Sequence, residues 1–160
     1  MKFPRTVRLD ASDAQVFEKA ASPGEWAVPG SFAFQDCRPE QLETKARLAF
    51  ASGWLGTESF GWSSLVEVAE IDEAGFFQVV ERLARHFVEH YGAPSLAEAL
   101  PTARAQADDA AELCEHGVHT LLALEREMTD AGITERFRVI QPSRAKDHAQ
   151  IWSLVEEDEV

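Results

Sequence analysis

The stretch Asp72–Tyr91, DEAGFFQVVERLARHFVEHY, carries the longest helical pattern in the chain. Phe76, Phe77, Val80, Leu83, Ala84, Phe87 and Tyr91 recur at spacings of three and four, which predicts one buried face. Asp72 is the expected N-cap, and Glu73 in the first turn suits the helix dipole. Gly92 follows as the expected C′ residue, and Pro94 blocks continuation. The rest of the chain is expected to pack on those rings. Fully burying one such Phe contributes roughly 1.5–3 kcal/mol.

Upstream of the helix, Leu65, Val66, Val68 and Ile71 predict a strand within 63–71. Before it lies Gly53-Trp54-Leu55-Gly56-Thr57-Glu58-Ser59-Phe60-Gly61-Trp62, the least regular stretch, read as an aromatic loop. Arg38-Pro39-Glu40 opens a predicted helix that runs to about Ser52, with Leu42, Ala46, Ala49 and Phe50 inward. Val16–Ala21 and Glu25–Phe34 read as two arms of a hairpin joined by Ser22-Pro23-Gly24-Glu25. Trp26, Val28, Phe32 and Phe34 share its inward parity, with a bulge expected at Pro29-Gly30. Phe3–Leu9 reads as an N-terminal strand.

Downstream, Ser95–Glu115 predicts a helix with a stripe of Leu100, Ala103, Ala107, Ala110, Ala111 and Cys114. Pro101 either kinks it or starts it, and His116-Gly117 ends it. His119–Met128 and Ile133–Ile140 form the clearest hairpin, with Ile133, Phe137 and Val139 inward and Thr134, Arg136 and Arg138 outward. His148–Val155 reads as a last strand, with a short helix as the alternative. The fold class is therefore α+β: a mostly antiparallel sheet of five or six strands with about three helices packed on one face. Residues 1–155 are expected to form a single domain and 156–160 an acidic tail.

The chain has 160 residues, 15 Lys plus Arg against 28 Asp plus Glu, and a formal charge of −13. That charge opposes binding to nucleic acid or an anionic membrane, because neutralising phosphates needs concentrated cations. A basic partner remains compatible with it. Two cysteines, Cys37 and Cys114, form no CxxC pair, which points to a reducing, cytoplasmic setting. The N-terminus has no apolar core of signal-peptide length, and no run approaches the ~18 apolar residues of a membrane span.

Four groups of residues are site candidates. Trp54, Phe60 and Trp62, interleaved with glycines, form an aromatic surface for a ligand or partner; the competing reading is a lid on the core. Of the two indoles, Trp54 is expected to be the exposed, functional one and Trp62 the core one. Arg136, Arg138, Arg144 and Lys146 could receive a carboxylate or phosphate, or pair with the protein's own acids. His86-x-x-Glu89-His90 has the form of the inverzincin motif. At about 100° per residue, His86 and His90 stand about 40° apart and could share zinc, with Glu89 as general base. The competing reading is two boundary histidines with Glu89 in water. Cys114-x-His116-x-x-His119 gathers three possible ligands, but a structural zinc site needs a fourth. No G-x-S-x-G, Walker loop or Rossmann fingerprint occurs.

The segments KFPRTVRLD, GEWAVPGSFAF and SGWLGTESFGWSSLVEV together resemble a small family of proteobacterial proteins with no assigned function. The resemblance covers most of the chain. It implies only that the Gly/Trp loop belongs to the family's pattern, and it brings no catalytic residue or cofactor. The expected function is a non-catalytic binding or accessory protein that holds a protein partner or small anionic ligand. The alternatives are a zinc-dependent hydrolase built on His86, Glu89 and His90, and a self-associating subunit, a homodimer through the aromatic loop or the Ala stripe.

Overall fold

The computed structural model describes residues 1–8, 15–142 and 152–156, with 141–142 and 152–156 described by their backbone. The class is α+β, but the strands divide between two antiparallel sheets instead of joining one. The main sheet contains β1 (Lys2–Val7), β5 (Leu65–Glu70), β6 (Leu121–Thr129), β7 (Gly132–Pro142) and β8 (Trp152–Glu156), in that order. The small sheet contains β2 (Ala27–Val28), β3 (Trp54–Gly56) and β4 (Trp62–Ser63). The last strand is thus a strand and not a helix, and it takes in Glu156. Arg144 and Lys146 lie outside the described residues, as do 148–151 and 157–160 of the last strand and tail.

Three α-helices complete the described fold: α1 (Thr44–Ser52), α2 (Glu73–His90) and α3 (Leu96–Glu112). They do not share one face. α2 and α3 pack on each other, and Phe76, Val79, Leu83 and Phe87 meet the Ala99, Ala103, Ala107 and Ala110 stripe together with Phe3, Val28 and Leu55. Alanine side chains let the two helices approach closely. α1 lies elsewhere, where Ala49 and Phe50 pack with Phe17 and Phe34.

The small sheet serves both sides. Ala27 and Trp54 pack with Val66, Val68, Leu122 and Leu124 of the main sheet. Their strand neighbours Val28 and Leu55 pack with the helix pair. Strand alternation sends successive side chains to opposite faces, so three short strands join two hydrophobic clusters.

The α2 pattern is largely as expected. Asp72 caps it by accepting from the Gly75 N–H at 2.7 Å. Two of its expected core rings are not buried: Phe77 is 51% exposed and Tyr91 46%. Phe77 follows Phe76 by about 100° on the helix and cannot share its burial. Its ring lies under the Arg104 guanidinium, 5.8 Å away. In α3, Ser95 is the cap, accepting from Glu98 N–H at 3.2 Å, so Pro101 sits inside the helix and does not start it. Leu100 is exposed.

The expected hairpin over 16–34 does not form. Gly24 makes its turn at φ +86°, but only Ala27–Val28 is a strand, and it pairs with β3. Gly30, at φ +80°, breaks the alternation and starts a 3-10 turn over Ser31–Phe34. A side chain at Gly30 would lie 2.6 Å from Leu55 Cβ. The expected helix over 38–52 is likewise split into a 3-10 turn at Pro39–Gln41 and α1, because Leu42 and Glu43 are extended. The β6–β7 hairpin does form, with a tighter turn than expected: Thr129 pairs with Gly132, leaving Asp130-Ala131 as the loop.

Candidate functional site

Trp54 does not belong to a surface loop. It begins β3 and is 0% exposed, against the main sheet, with the Phe137 ring 5.6 Å away. The expected division of the two indoles is therefore inverted. Trp62 is the partly buried one, tilted on Phe34 at 5.1 Å. Strand pairing explains both: Trp54 pairs with Ser63 and Leu55 with Trp62, so the Gly/Trp stretch is a hairpin whose first residue points into the core.

Phe60 stands at the turn of this hairpin, at φ +56°. The turn is held from within by Glu25, whose carboxylate accepts from Ser59 Oγ (2.7 Å) and the N–H groups of Ser22 (2.7 Å), Ser59 (2.8 Å) and Glu58 (3.0 Å). Burial pushes this carboxyl up, but those donors outweigh it and leave it below the ordinary carboxylate value. A side chain at Gly56 would meet Glu25 Oε1 at 2.4 Å, so only glycine admits the carboxylate.

The turn delivers Phe60 onto α2. Its ring stacks on His86 with centroids 3.8 Å apart and planes 2° from parallel. His90 and Tyr91 lie 4.8 and 5.5 Å from His86. Two separate sequence candidates, the aromatic stretch and the HxxEH motif, thus meet at one point. Burial, then the charges of His90 and Lys19, lower the His86 pKa to about 4 against an opposing Glu89. Among the described residues, no group of three or more His, Cys, Asp or Glu side chains is placed to hold a metal ion. The zinc reading of His86 and His90 therefore has no third ligand among the described residues. Cys114 is buried, which pushes its thiol up to about 12, and His119 is engaged by Glu67 at 2.8 Å.

From His86 the aromatic contacts run on. Tyr91 meets Phe32 at 5.4 Å, and Phe32 meets Phe87 at 5.0 Å, both near perpendicular. These three rings lie in a cleft of about 1040 Å³. One wall is the 29–37 segment, which contributes Phe32, Asp36 and Cys37. A second is α3, through Glu98, Thr102, Gln106 and Asp109, a polar stripe spaced by four, four and three beside the buried alanines. The third is the β6–β7 hairpin tip, with Met128, Ala131, Gly132, Ile133 and Glu135. Tyr91 is held above its ordinary pKa by burial and by nearby Cys37.

The chain belongs to the DUF6505 family. The model of this family of unknown function matches residues 1–157. No curated protein and no solved structure matches the chain. The family likeness expected from the Gly/Trp segments is thus present over nearly the whole length, and the family brings no assigned activity.

The residue that shapes the cleft was not among the sequence candidates. Arg126 is 4% exposed, and its guanidinium uses every donor. Nε donates to Ser31 Oγ at 2.6 Å. Nη1 donates to the carbonyls of Ala49 (3.1 Å) and Phe50 (2.9 Å), and Nη2 to those of Gly53 (2.8 Å) and Pro29. It lies over the Phe34 and Trp62 rings at 5.3 and 5.8 Å. Its cross-strand partner Glu135 approaches Nε at 4.0 Å and accepts from Ser31 Oγ. One buried cation therefore caps the end of α1 and fixes the 29–31 wall. Burial lowers its pKa to about 10, partly offset by Glu135, so it remains charged at neutral pH. The signal was parity: Arg126 falls in step with inward Leu122 and Leu124, and Glu135 with inward Phe137 and Val139.

The two described basic candidates, Arg136 and Arg138, lie elsewhere. Arg138 pairs with Glu125 at 2.9 Å, Arg136 lies on the exposed strand face, and neither lines the cleft.

Proposed function

We propose that the protein is a non-catalytic binding protein and that the cleft between the 29–37 segment, α3 and the β6–β7 tip receives a segment of a partner protein. The observation that carries the reading is the cleft itself. Its volume of about 1040 Å³ is at the upper end of ligand pockets, and it combines an aromatic base with convergent polar groups. Phe32, Phe87 and Tyr91 supply apolar area, the usual anchor material of interfaces. Arg126 supports this wall from behind, so the cleft is preformed. Both cysteines are free, in keeping with a reducing compartment, and a cytoplasmic location is part of the proposal.

The Ala stripe of α3 is consumed in packing on α2, so a homodimer would need another surface. A small anion, expected from the arginine cluster, finds no Lys or Arg lining the cleft among the described residues. The test is site-specific photo-cross-linking in cells, with benzoylphenylalanine at Thr102 in the cleft or at Glu112 outside it. A discrete adduct formed from Thr102 and not from Glu112 supports the cleft. Adducts of equal yield from both positions, or none from Thr102, would refute it.

A further inference from the structure

We infer that the cleft selects a cationic side chain, the lysine or arginine of a basic, extended segment of its partner; this rests on the cleft reading proposed above. Charge complementarity is the argument. Asp36, Glu98, Asp109 and Glu135 line the cleft, and among the described residues no Lys, Arg or His does. Glu135 is already compensated by Arg126 and engaged by Ser31. The carboxylates of Asp36, Glu98 and Asp109 have no hydrogen-bond or ion-pair partner among the described residues. Among the described residues some acids elsewhere have one, as Glu81 with Arg85, Asp108 with Arg104 and Glu125 with Arg138, and others such as Glu73 and Glu112 do not. What distinguishes Asp36, Glu98 and Asp109 is that they line one concavity.

Three uncompensated charges around one concavity raise the local concentration of cations more than the same charges spread on a convex face, because the walls focus the field. The aromatic base adds to this. Tyr91 is half-exposed beside Phe32, and a ring face attracts an ammonium or guanidinium through its quadrupole. An arginine or lysine also brings a long apolar stem, which suits a cleft with apolar floor and acidic rim. The formal charge of −13 would steer such a segment toward the protein before contact.

The probes are three blocked hexapeptides: alternating Gly and Arg, the same with citrulline for Arg, and the same with Glu. Binding to the full chain is followed by ¹H–¹⁵N spectra. The Arg peptide is expected to shift the amides of Thr102, Gln106 and Gly132, and the other two peptides to leave them in place. Glu98→Gln with Asp109→Asn should weaken the Arg peptide by about tenfold. Glu112→Gln with Glu115→Gln, which removes equal charge outside the cleft, should weaken it by less than about twofold. Citrulline binding as tight as Arg would overturn the cationic selection while leaving the cleft as a binding site. Equal weakening by both double variants would mean attraction to net charge alone and would also overturn it. So would no binding of the Arg peptide at about 1 mM. Failure of cross-linking from Thr102, by contrast, strikes the cleft reading itself.

Discussion

Phe60 and His86, 26 positions apart in the chain, lie face to face at 3.8 Å. The stack removes water from one side of the imidazole, and burial of this kind disfavours its charged form. We expect His86 to titrate near 4, as seen by the ring proton shifts in an NMR titration. Phe60→Ala should move that value up toward the ordinary 6.5 of histidine. The sign for stability follows. The unfolded chain takes up the proton near 6.5 and the folded one only near 4, so stability falls as pH drops between those values. Phe60→Ala should flatten that decline, and an unchanged His86 titration would deny the stack its role.

Glu25 carries a sensitivity of the same sign at lower pH. Its folded carboxyl lies below the ordinary value, so its stabilisation is fully present above the unfolded value of 4.5 and is lost as pH falls through the folded one. Glu25→Gln places an NH₂ among four donors, and hydrogen bonds to charged groups contribute roughly 1.5–3 kcal/mol. Urea unfolding at pH 7 should show a loss of that order. The gap to the parent should close below pH 4.5; a constant gap would assign the loss to shape and not to charge.

Trp54→Ala should cost roughly 3–5 kcal/mol, since it empties a site between the two sheets. Trp62→Ala should cost less, because part of its indole already meets water. In single-tryptophan variants, acrylamide should quench Trp62 more than Trp54. The reverse order would contradict the β3–β4 register.

Arg126→Met removes the donors of four backbone carbonyls as well as a buried charge facing Glu135. We expect a loss of roughly 3–5 kcal/mol in thermal or urea unfolding. Arg126→Lys should recover only part of it, because an ammonium has three donors and no planar fork. A loss below about 1 kcal/mol would mean that water replaces the guanidinium.

The sequence was informative where one periodicity dominated. α2 stands out because its apolar stripe is long and its cap residues bracket it, and the β6–β7 hairpin because alternation persists through both arms. It was misleading where short elements change their pairing. Glu25–Phe34 alternates well enough for a strand, yet only Ala27–Val28 is one, since Gly30 turns the backbone to positive φ and β3 supplies the partner. Trp54 looked like loop because glycines flank it; a three-residue strand is too short for its own period to show. The cleft was least legible, since it joins positions from 29 to 135 that no local pattern links. Its one local trace is the polar run Glu98, Thr102, Gln106, Asp109 beside the alanines.

Arg126 also has a meaning in time. Five partners between positions 29 and 53 share one guanidinium, so none can leave alone without stranding a buried cation. The segment is thereby made to open as a unit, a subglobal event of the kind that native-state hydrogen exchange resolves. The protected amides of Ala33, Cys37 and Gly53 should then report one common opening free energy and one common denaturant slope. In Arg126→Lys they should separate into independent openings, each with a smaller slope.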